Sequence, residues 1–432
     1  MSSKSRVRGL AAASVVALAS LAACTSGPVR PTAPLSSSGM RPDPSRPLPP
    51  GAPQPSGTVS ERYAGGRNAY IPRHIASSEA QNLKRIAVLL PFNSTNAEVR
   101  RQSQGIYNAI QMALFQVGAR DVLLMPRDAT SADPQVIQGV AEDAVRDGAV
   151  AIIGPVFAQQ VSAVASKAAE VSAPVLAFST DVSAFGQGAY LVSLTPYSEV
   201  ERIVEWAARD GVTRFAMLGP DNANGRTIEQ ALRQEVAERG GQVVSVEYYT
   251  PGNTSPQEQA RRTASVIEAE NTANPGKVAV LIPEAGVQLR SVGSLLRAIA
   301  NVTPREVRFI GTGQWNDSDV WREPSLYGGA FPAPDPAGLA DFEKRYQAIY
   351  GEAAPRLASF GYDAGALAAT LAANNRLDAA MIQRPQGWSG VNGLFRFQAD
   401  GSVERALAIM QLQNQGGVKI ISPPIQAFAA GS

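Results

Sequence analysis

The residues best suited to contact a small molecule are polar side chains that directly follow apolar runs. Two such groups occur, first Asn93 and Ser94, and later Ser179, Thr180 and Asp181. Hydroxyl, amide and carboxylate groups at the carboxyl ends of parallel strands can hydrogen-bond a ligand. Their alternative roles are structural, because the later group could cap the following helix and the earlier group could simply fill a loop.

Two aromatic residues and an acid–amide pair complete the candidates. Phe157 and Trp315 could stack on a ligand, although either could instead pack in the core or in a hinge. Asp221 and Asn222 could contact a ligand, and their alternative role is to cap a helix. The predicted ligand-binding set is Asn93, Ser94, Phe157, Ser179, Thr180, Asp181, Asp221, Asn222 and Trp315.

The residue content argues against catalysis. Histidine occurs once, at His74, and cysteine once, at Cys24. These counts exclude Ser-His-Asp and Cys-His sites in the folded body and leave too few ligands for a zinc site. The chain also has no GxxxxGK[ST] pattern and no S-x-x-K pattern. A pair of carboxylates for glycoside hydrolysis stays open, since nothing distinguishes one. We expect a protein that is not an enzyme and uses no metal or cofactor.

Length and charge narrow the class of partner. The chain has 432 residues, which is enough for two or three domains. Its formal net charge of +2 is close to neutral, and 18% of its residues are charged. This composition is typical of a soluble globular protein and argues against a nucleic-acid partner.

Residues 1–23 predict a secretory signal peptide. Lys4, Arg6 and Arg8 precede the mostly apolar stretch Leu10 to Ala19, which is too short to span a bilayer as a mature helix. The following Leu21-Ala22-Ala23-Cys24 resembles the lipobox of bacterial lipoproteins, whose cysteine is acylated, for instance by palmitate. An ordinary signal peptide with an accidental cysteine is the alternative.

Residues 24–83 predict a lipidated cysteine followed by a flexible tether. Thr25 to Ser60 holds ten prolines in 36 positions, so this segment cannot bury a core and favours polyproline II. Fully extended, it could span on the order of 100 Å. Both a simple spacer and a tether that reaches partners across the periplasm stay open. Because Thr25 is not aspartate, the lipoprotein resemblance implies the periplasmic face of the outer membrane, rather than the inner membrane.

From Lys84 onward, apolar runs alternate with helical patterns. Fully apolar runs are typical of parallel strands that are buried on both faces. The order of strands and helices predicts an α/β protein with two consecutive doubly wound units. The predicted strands are Ile86–Leu90, Val122–Met125, Val150–Ile153, Val175–Phe178, Phe215–Leu218, Val243–Val246, Val278–Ile282 and Val307–Ile310.

Capping signals predict where helices begin and end. Asp133 and Asp335 each precede a proline, which is the pattern of an N-cap followed by the first helical position. Ser198 and Glu201 have the spacing of a capping box. Gly148 lies where the helix after Asp133 should end.

Several segments, in this order along the chain, resemble the type I periplasmic binding proteins. The resemblance covers residues 84 to about 425 and implies two Rossmann-like lobes joined by three crossings of the chain. The segments that carry it are Ile86–Pro91, Ala151–Pro155, Ala173–Ser179, Phe215–Gly219, Asp221–Arg226, Phe360–Ala364, Gly390–Phe397 and Asp400–Gly401.

The resemblance also implies the lobe boundaries and the location of a ligand. The crossings would fall near Pro196, Phe331 and Phe397. The N-lobe would then comprise residues 84–196 plus 332–397, and the C-lobe residues 197–331 plus 398–425. A ligand would lie in the cleft at the carboxyl ends of strands from both lobes, where helix N-termini favour carboxylates.

Two groups within this family are similar to the chain. One comprises receptors for leucine, isoleucine and valine, which bind the ligand ammonium through an acid in a C-lobe loop. The corresponding segment Gly311 to Trp315 holds no acid, and Glu284 lies in another loop. Val182 stands where these receptors have a threonine for the ligand carboxylate. Because a buried ammonium without a charged partner costs several kcal/mol, tight binding of a free amino acid is not expected.

The other group comprises penicillin-binding-protein activators, lipoproteins that regulate peptidoglycan synthesis. We predict this role, in which the protein is anchored to the membrane by lipid and contacts a cell-wall synthase, a penicillin-binding protein. The alternative is a branched-chain amino-acid-binding lipoprotein of an ABC uptake system. Either could bind a small amino acid or peptidoglycan fragment in the cleft.

Overall fold

Buried strands alternate with helices in the computed structural model, which describes residues 82–181, 186, 188–250, 256–300 and 302–428. The predicted signal peptide, Cys24, the proline-rich segment and His74 lie outside the described residues, and so does Val182. None of the described helices combines the length and the apolar character needed to cross a membrane.

The first sheet, which is the core of the N-lobe, has five parallel strands in the order β2-β1-β3-β4-β5. Alternate residues of β1 face opposite sides: Ile86 and Val88 join one hydrophobic cluster, and Ala87 and Leu89 join another. Both faces are therefore covered by helices. These elements are β1 (Lys84–Leu90), α1 (Ala97–Val117), β2 (Val122–Asp128), α2 (Pro134–Arg146), β3 (Ala149–Ile153), α3 (Ala158–Ala169), β4 (Val175–Ala177) and β5 (Ala189–Leu191).

The second sheet, which is the core of the C-lobe, has seven strands in the order β15-β14-β10-β9-β8-β6-β7. Strands β6 to β10 are parallel, whereas β14 and β15 are antiparallel additions at one edge. Its elements are α4 (Pro196–Arg209), β6 (Arg214–Pro220), α5 (Ala223–Glu238), β7 (Gln242–Tyr249), α6 (Gln257–Ala273), β8 (Val278–Leu281), α7 (Gly286–Ala300), β9 (Val307–Ile310), β10 (Ala330–Ala333), β14 (Ala408–Leu412) and β15 (Val418–Ser422).

A third, small antiparallel sheet, β11-β12-β13, packs on the N-lobe, because Phe395, Phe397 and Val403 join the cluster of Ile86. Three helices precede it in the chain and belong to the same lobe. These elements are α8 (Pro336–Tyr350), α9 (Ala358–Ala373), α10 (Ala379–Ile382), β11 (Trp388–Gly390), β12 (Gly393–Phe397) and β13 (Val403–Arg405).

The chain passes between the lobes after β5, after β10 and after β13. The first passage agrees with the crossing expected near Pro196. The other two lie later than expected, because Phe331 is inside β10 of the C-lobe sheet and Phe397 is inside β12, which pairs with β13. Short strands that pair across a tight turn keep the chain in the N-lobe until Arg405.

A buried ion pair ties the first and the third of these passages to α9. Arg405, fully buried at the end of β13, donates to the carbonyl of Val192 in the first passage and lies 4.0 Å from Asp363 of α9. The guanidinium also lies over the rings of Phe360 and Phe395, 5.2 Å and 4.8 Å from their centroids. Burial raises the pKa of Asp363 and lowers the pKa of Arg405 to about 10.

The predicted architecture is confirmed, as every predicted apolar run contains or overlaps a strand. Asp133 and Asp335 cap α2 and α8, each accepting an amide proton two residues later. The predicted capping box is wrong: α4 begins earlier, because Thr195 accepts from the Ser198 amide and Pro196 occupies the first turn. The sequence patterns missed β5 and β10 to β15.

We predict that Gly361→Ala destabilises the protein by about 1–3 kcal/mol, because an added Cβ would lie 2.8 Å from the carbonyl oxygen of Ile106 where α9 crosses α1. Gly139→Ala is the control, since its Cβ would meet nothing within 4 Å in the interior of α2. Its helix propensity should stabilise by up to about 1 kcal/mol. Urea unfolding measures both, and equal effects would contradict the close helix contact.

Candidate ligand-binding cleft

The candidate site is the cleft at the carboxyl ends of the parallel strands of both sheets, near the passages between the lobes. On the N-lobe side, the loops after β1, β3 and β4 form this edge. On the C-lobe side, the loops after β6 to β9 form it. Ligands of doubly wound sheets bind in crevices at such edges.

The loop after β1 is held by hydrogen bonds. The Asn93 amide donates to Asp128 Oδ1 at 3.0 Å and to Thr130 Oγ1 at 3.2 Å. Ser94 Oγ accepts from the amide of Asn96, whose side chain in turn caps α1. Asn93 is exposed and Ser94 half-buried. Both predicted residues therefore lie at the N-lobe edge on a loop whose backbone is fixed.

The loop after β4 places one predicted residue inside and two outside. Ser179 is buried, and its Oγ accepts from the Asp181 amide at 3.0 Å, so this hydroxyl shapes the turn. Thr180 and Asp181 are exposed at the same edge. Of the three, Thr180 and Asp181 are better placed than Ser179 to meet a ligand.

Helix α3 begins at this edge without a side-chain cap. Phe157 is its N-cap residue, is half-buried, and makes no side-chain hydrogen bond to the first turn. The preceding Gly154 has a φ of +101°, and a Cβ there would overlap the carbonyl oxygen of Leu89. Glycine thus lets the chain turn tightly into α3. The uncapped amides of the first turn are suited to an anionic group.

Trp315 does not belong to the cleft surface. Its side chain is 0% exposed, packs in the C-lobe core and donates from Nε1 to the Ile282 carbonyl at 2.9 Å. Its ring lies directly against Gly311, where a Cβ would overlap it. The expectation that Trp315 stacks on a ligand is wrong, because its buried indole packs in the C-lobe core and supports the loop after β9.

The two predicted residues after β6 have structural partners. Asn222 Oδ1 accepts from the Gly225 amide at 2.9 Å and so caps α5. Asp221 accepts from Arg226 Nη2 at 2.5 Å. Both residues are exposed. Their capping and ion-pair contacts agree with the alternative role.

The sequence patterns did not identify Glu199, in the first turn of α4. Its Oε1 accepts from the Gly313 amide at 3.1 Å, and a Cβ at position 313 would overlap this same oxygen. The carboxylate thus fills the space that a side chain on the loop after β9 would occupy. An acid in a first helical turn usually indicates only a favourable dipole contact, so no sequence pattern distinguishes Glu199 from an ordinary first-turn acid.

Glu199 is also an unusual acid. Burial raises its pKa to about 7, while the Gly313 hydrogen bond and the positive charge of Arg356 oppose this rise. Arg356 precedes α9 in the N-lobe, whereas Glu199 belongs to the C-lobe. A charge in one lobe therefore acts on a carboxyl group in the other, and Glu199 lies at the junction of the two.

A second acid lies after β8. Glu284 Oε1 accepts from the Tyr249 hydroxyl at 2.6 Å, and burial together with this carboxylate raises the pKa of Tyr249. The C-lobe edge thus presents carboxylates from Glu199 and Glu284, and the N-lobe edge presents amides, the Thr180 hydroxyl and the Asp181 carboxylate. Within the described residues, no group of three His, Cys, Asp or Glu side chains could hold a metal ion.

Comparisons with known proteins identify one family and many solved structures of similar fold. A family model described as a periplasmic binding protein matches residues 84–417. Among curated proteins, none matches the chain.

Three solved structures illustrate the similarity of fold. A Rhodospirillum rubrum protein described as a branched-chain amino acid ABC transporter is 20% identical over 78% of this chain and 100% of its own, with a TM-score of 0.65. An R. palustris solute-binding protein, solved with benzoate, is 17% identical over 81% and 98%, with a TM-score of 0.55. A Streptococcus pneumoniae branched-chain amino acid substrate-binding protein, solved with isoleucine, is 14% identical over 79% and 100%, with a TM-score of 0.53.

The raised pKa of Glu199 predicts a specific pH dependence of stability. Since its folded pKa of about 7 exceeds the ordinary value of 4.5, the folded state binds the proton more tightly. The stability that the protonated Glu199 contributes is therefore present below about pH 4.5 and is lost as the pH rises through 7. Glu199→Gln keeps an acceptor for Gly313 but cannot ionise, so its stability relative to wild type should increase from pH 5 to pH 8.

Urea unfolding of both proteins across this pH range measures the difference in their free energies of unfolding. The contributions of other titrating groups cancel in this difference. The matched control is Glu238→Gln, an exposed glutamate at the end of α5. A difference between wild type and Glu199→Gln that stays constant with pH would show that Glu199 ionises normally.

Proposed function

Because this chain belongs to the periplasmic binding protein family, we propose that it captures a small solute in the cleft between its lobes and catalyses no reaction. The observation that carries this proposal is the carboxylate of Glu199 at the junction of the lobes. The loop after β9 itself holds no acid, which disfavours an amino-acid ligand. Glu199 supplies an acid at that place from a different element.

The ligand class follows from the charges at the two edges. The uncapped start of α3 and the exposed hydroxyl of Thr180 suit a carboxylate, while Glu199 suits an ammonium or another hydrogen-bond donor. We therefore favour a small zwitterion such as an amino acid. The solved proteins that hold isoleucine and benzoate both have a ligand with a carboxylate.

In this role the protein would deliver its solute to an ABC permease. Its family implies a periplasmic location. Acylation of Cys24 and an outer-membrane anchor stay proposals supported by the lipobox-like Leu21 to Cys24 and by Thr25.

Regulation of a cell-wall synthase is the second candidate function. The proline-rich segment Thr25 to Ser60 favours it, because a transport receptor has no evident need for so long a tether. In this role the lobes would contact a penicillin-binding protein, and a peptidoglycan fragment bound in the cleft could modulate that contact. The two candidates differ in whether small-solute binding depends on Glu199.

Isothermal titration of the full chain against free amino acids, benzoate and peptidoglycan fragments tests the proposal. We expect at least one amino acid to bind, and Glu199→Gln to weaken that binding about 10-fold or more, since a charge-assisted hydrogen bond is lost. Glu238→Gln should bind like wild type, and any benzoate binding should be unaffected by Glu199→Gln because benzoate has no ammonium.

Two outcomes would count against the proposed function or against the role of Glu199 in it. Binding of an amino acid with unchanged affinity in Glu199→Gln would contradict the role of this carboxylate. Absence of binding by every solute, together with retention of a cell-wall synthase on the immobilised protein, would favour the regulator instead.

A further inference from the structure

The last described residues return from the C-lobe to the N-lobe. Strand β15 belongs to the C-lobe sheet, yet Phe428, six residues beyond it, packs on the small sheet of the N-lobe. We propose that residues 423–428, here called the C-terminal strap, form a fourth connection between the lobes and favour the lobe arrangement of this structure, here called closed, over a more open one. This proposal goes beyond solute capture and does not require that any ligand binds.

The C-lobe end of the strap is held by Arg202 of α4. Its Nη2 donates to Ser422 Oγ at 2.7 Å and to the Pro423 carbonyl at 3.5 Å. Its Nε donates to the Leu407 carbonyl at 2.8 Å. One side chain thus fixes both the start of the strap and the passage of the chain after β13.

At its N-lobe end, the strap places the Phe428 ring over the guanidinium of Arg396, which is itself paired with Glu404. The Phe428 ring centroid lies 4.5 Å from the Arg396 guanidinium, and Arg396 Nε donates to Glu404 Oε2 at 2.6 Å. A Cβ added at Gly387 would lie 2.9 Å from the ring, so Phe428 packs directly on backbone. Phe428 is only 8% exposed. These contacts make it an anchor rather than a loose end.

The anchor belongs to the N-lobe body. Arg396 lies on β12, whose neighbouring residues Phe395 and Phe397 point the other way into the cluster that contains Ile86. Movement of the N-lobe relative to the C-lobe would therefore move Arg396 with it. Phe428 would have to follow or detach.

The length of the strap limits how far the lobes can separate. Six residues span at most about 20 Å, and Pro423 and Pro424 stiffen the first part of this segment. In between, Ile425 is 50% exposed and contributes no comparable anchor. Opening beyond the reach of the strap requires the Phe428 ring to leave its site and become exposed to water.

A restraint of this kind sets the ratio of closed to open molecules before any solute arrives. Apparent affinity falls with the fraction of molecules in the competent state. Removing the Phe428 ring should raise the open-to-closed ratio about tenfold or more, because burial of a large apolar side chain is lost. The effect is expected in the free protein.

Distance measurements between spin labels on the full chain test this proposal. Cys24→Ser removes the single native cysteine, and Val136→Cys on α2 and Gln230→Cys on α5 place labels on exposed helix positions in the two lobes. We expect Phe428→Ala to shift the distance distribution to longer values, Phe428→Leu to shift it less, and Ile425→Ala to leave it unchanged.

The outcomes are distinct from those of the solute-binding test, because no ligand is added. Identical distributions for wild type, Phe428→Ala and Phe428→Leu would overturn the proposal. An equal shift in Ile425→Ala would also overturn it, since the effect would then not depend on the anchor. Circular dichroism spectra and thermal melting curves that match those of wild type in all variants would verify that the lobes stay folded.

Discussion

The pairing of Arg405 with Asp363 is the constraint on which the arrangement of the two lobes depends. Two charges removed from water are tolerated only where further contacts compensate them. Here Asp363 also accepts from the Val391 amide at 2.7 Å and from Asn392 Nδ2 at 2.9 Å, and Arg405 donates to Val192. The pair therefore ties α9 to two places where the chain passes between the lobes.

The chemistry at the lobe junction follows from that arrangement. Glu199 reaches the loop after β9 from the start of α4, and Arg356 acts on it from the segment before α9. The carboxyl group of Glu199 is desolvated by burial, hydrogen-bonded to a backbone amide and influenced by a charge in the opposite lobe. The same three features suit recognition of a donor group on a solute, and none of them requires covalent chemistry.

Sequence patterns predicted the architecture well because buried parallel strands leave continuous apolar runs, such as Ile86 to Leu90. They failed where three-residue strands such as β11 and β13 pair locally, since so short a run has no period to detect. Within the cleft, Thr180 was predicted because it lies just after an apolar run; it is exposed at the N-lobe edge, and its contact with a ligand stays a prediction. Glu199 was missed because its function depends on contact with Gly313, more than 100 residues away in the chain, and Trp315 was misassigned because an aromatic after a strand can equally turn inward.

Native mass spectrometry of the full chain, after incubation with a mixture of amino acids, benzoates and peptidoglycan fragments, tests the central claim most directly. If the cleft captures a small zwitterion, wild type will show one added mass per chain, matching a solute with both a carboxylate and an amine. The Glu199→Ala variant will show only its own mass. Wild type that shows only its own mass, or a Glu199→Ala variant that retains the same amino-acid solute, would contradict the account.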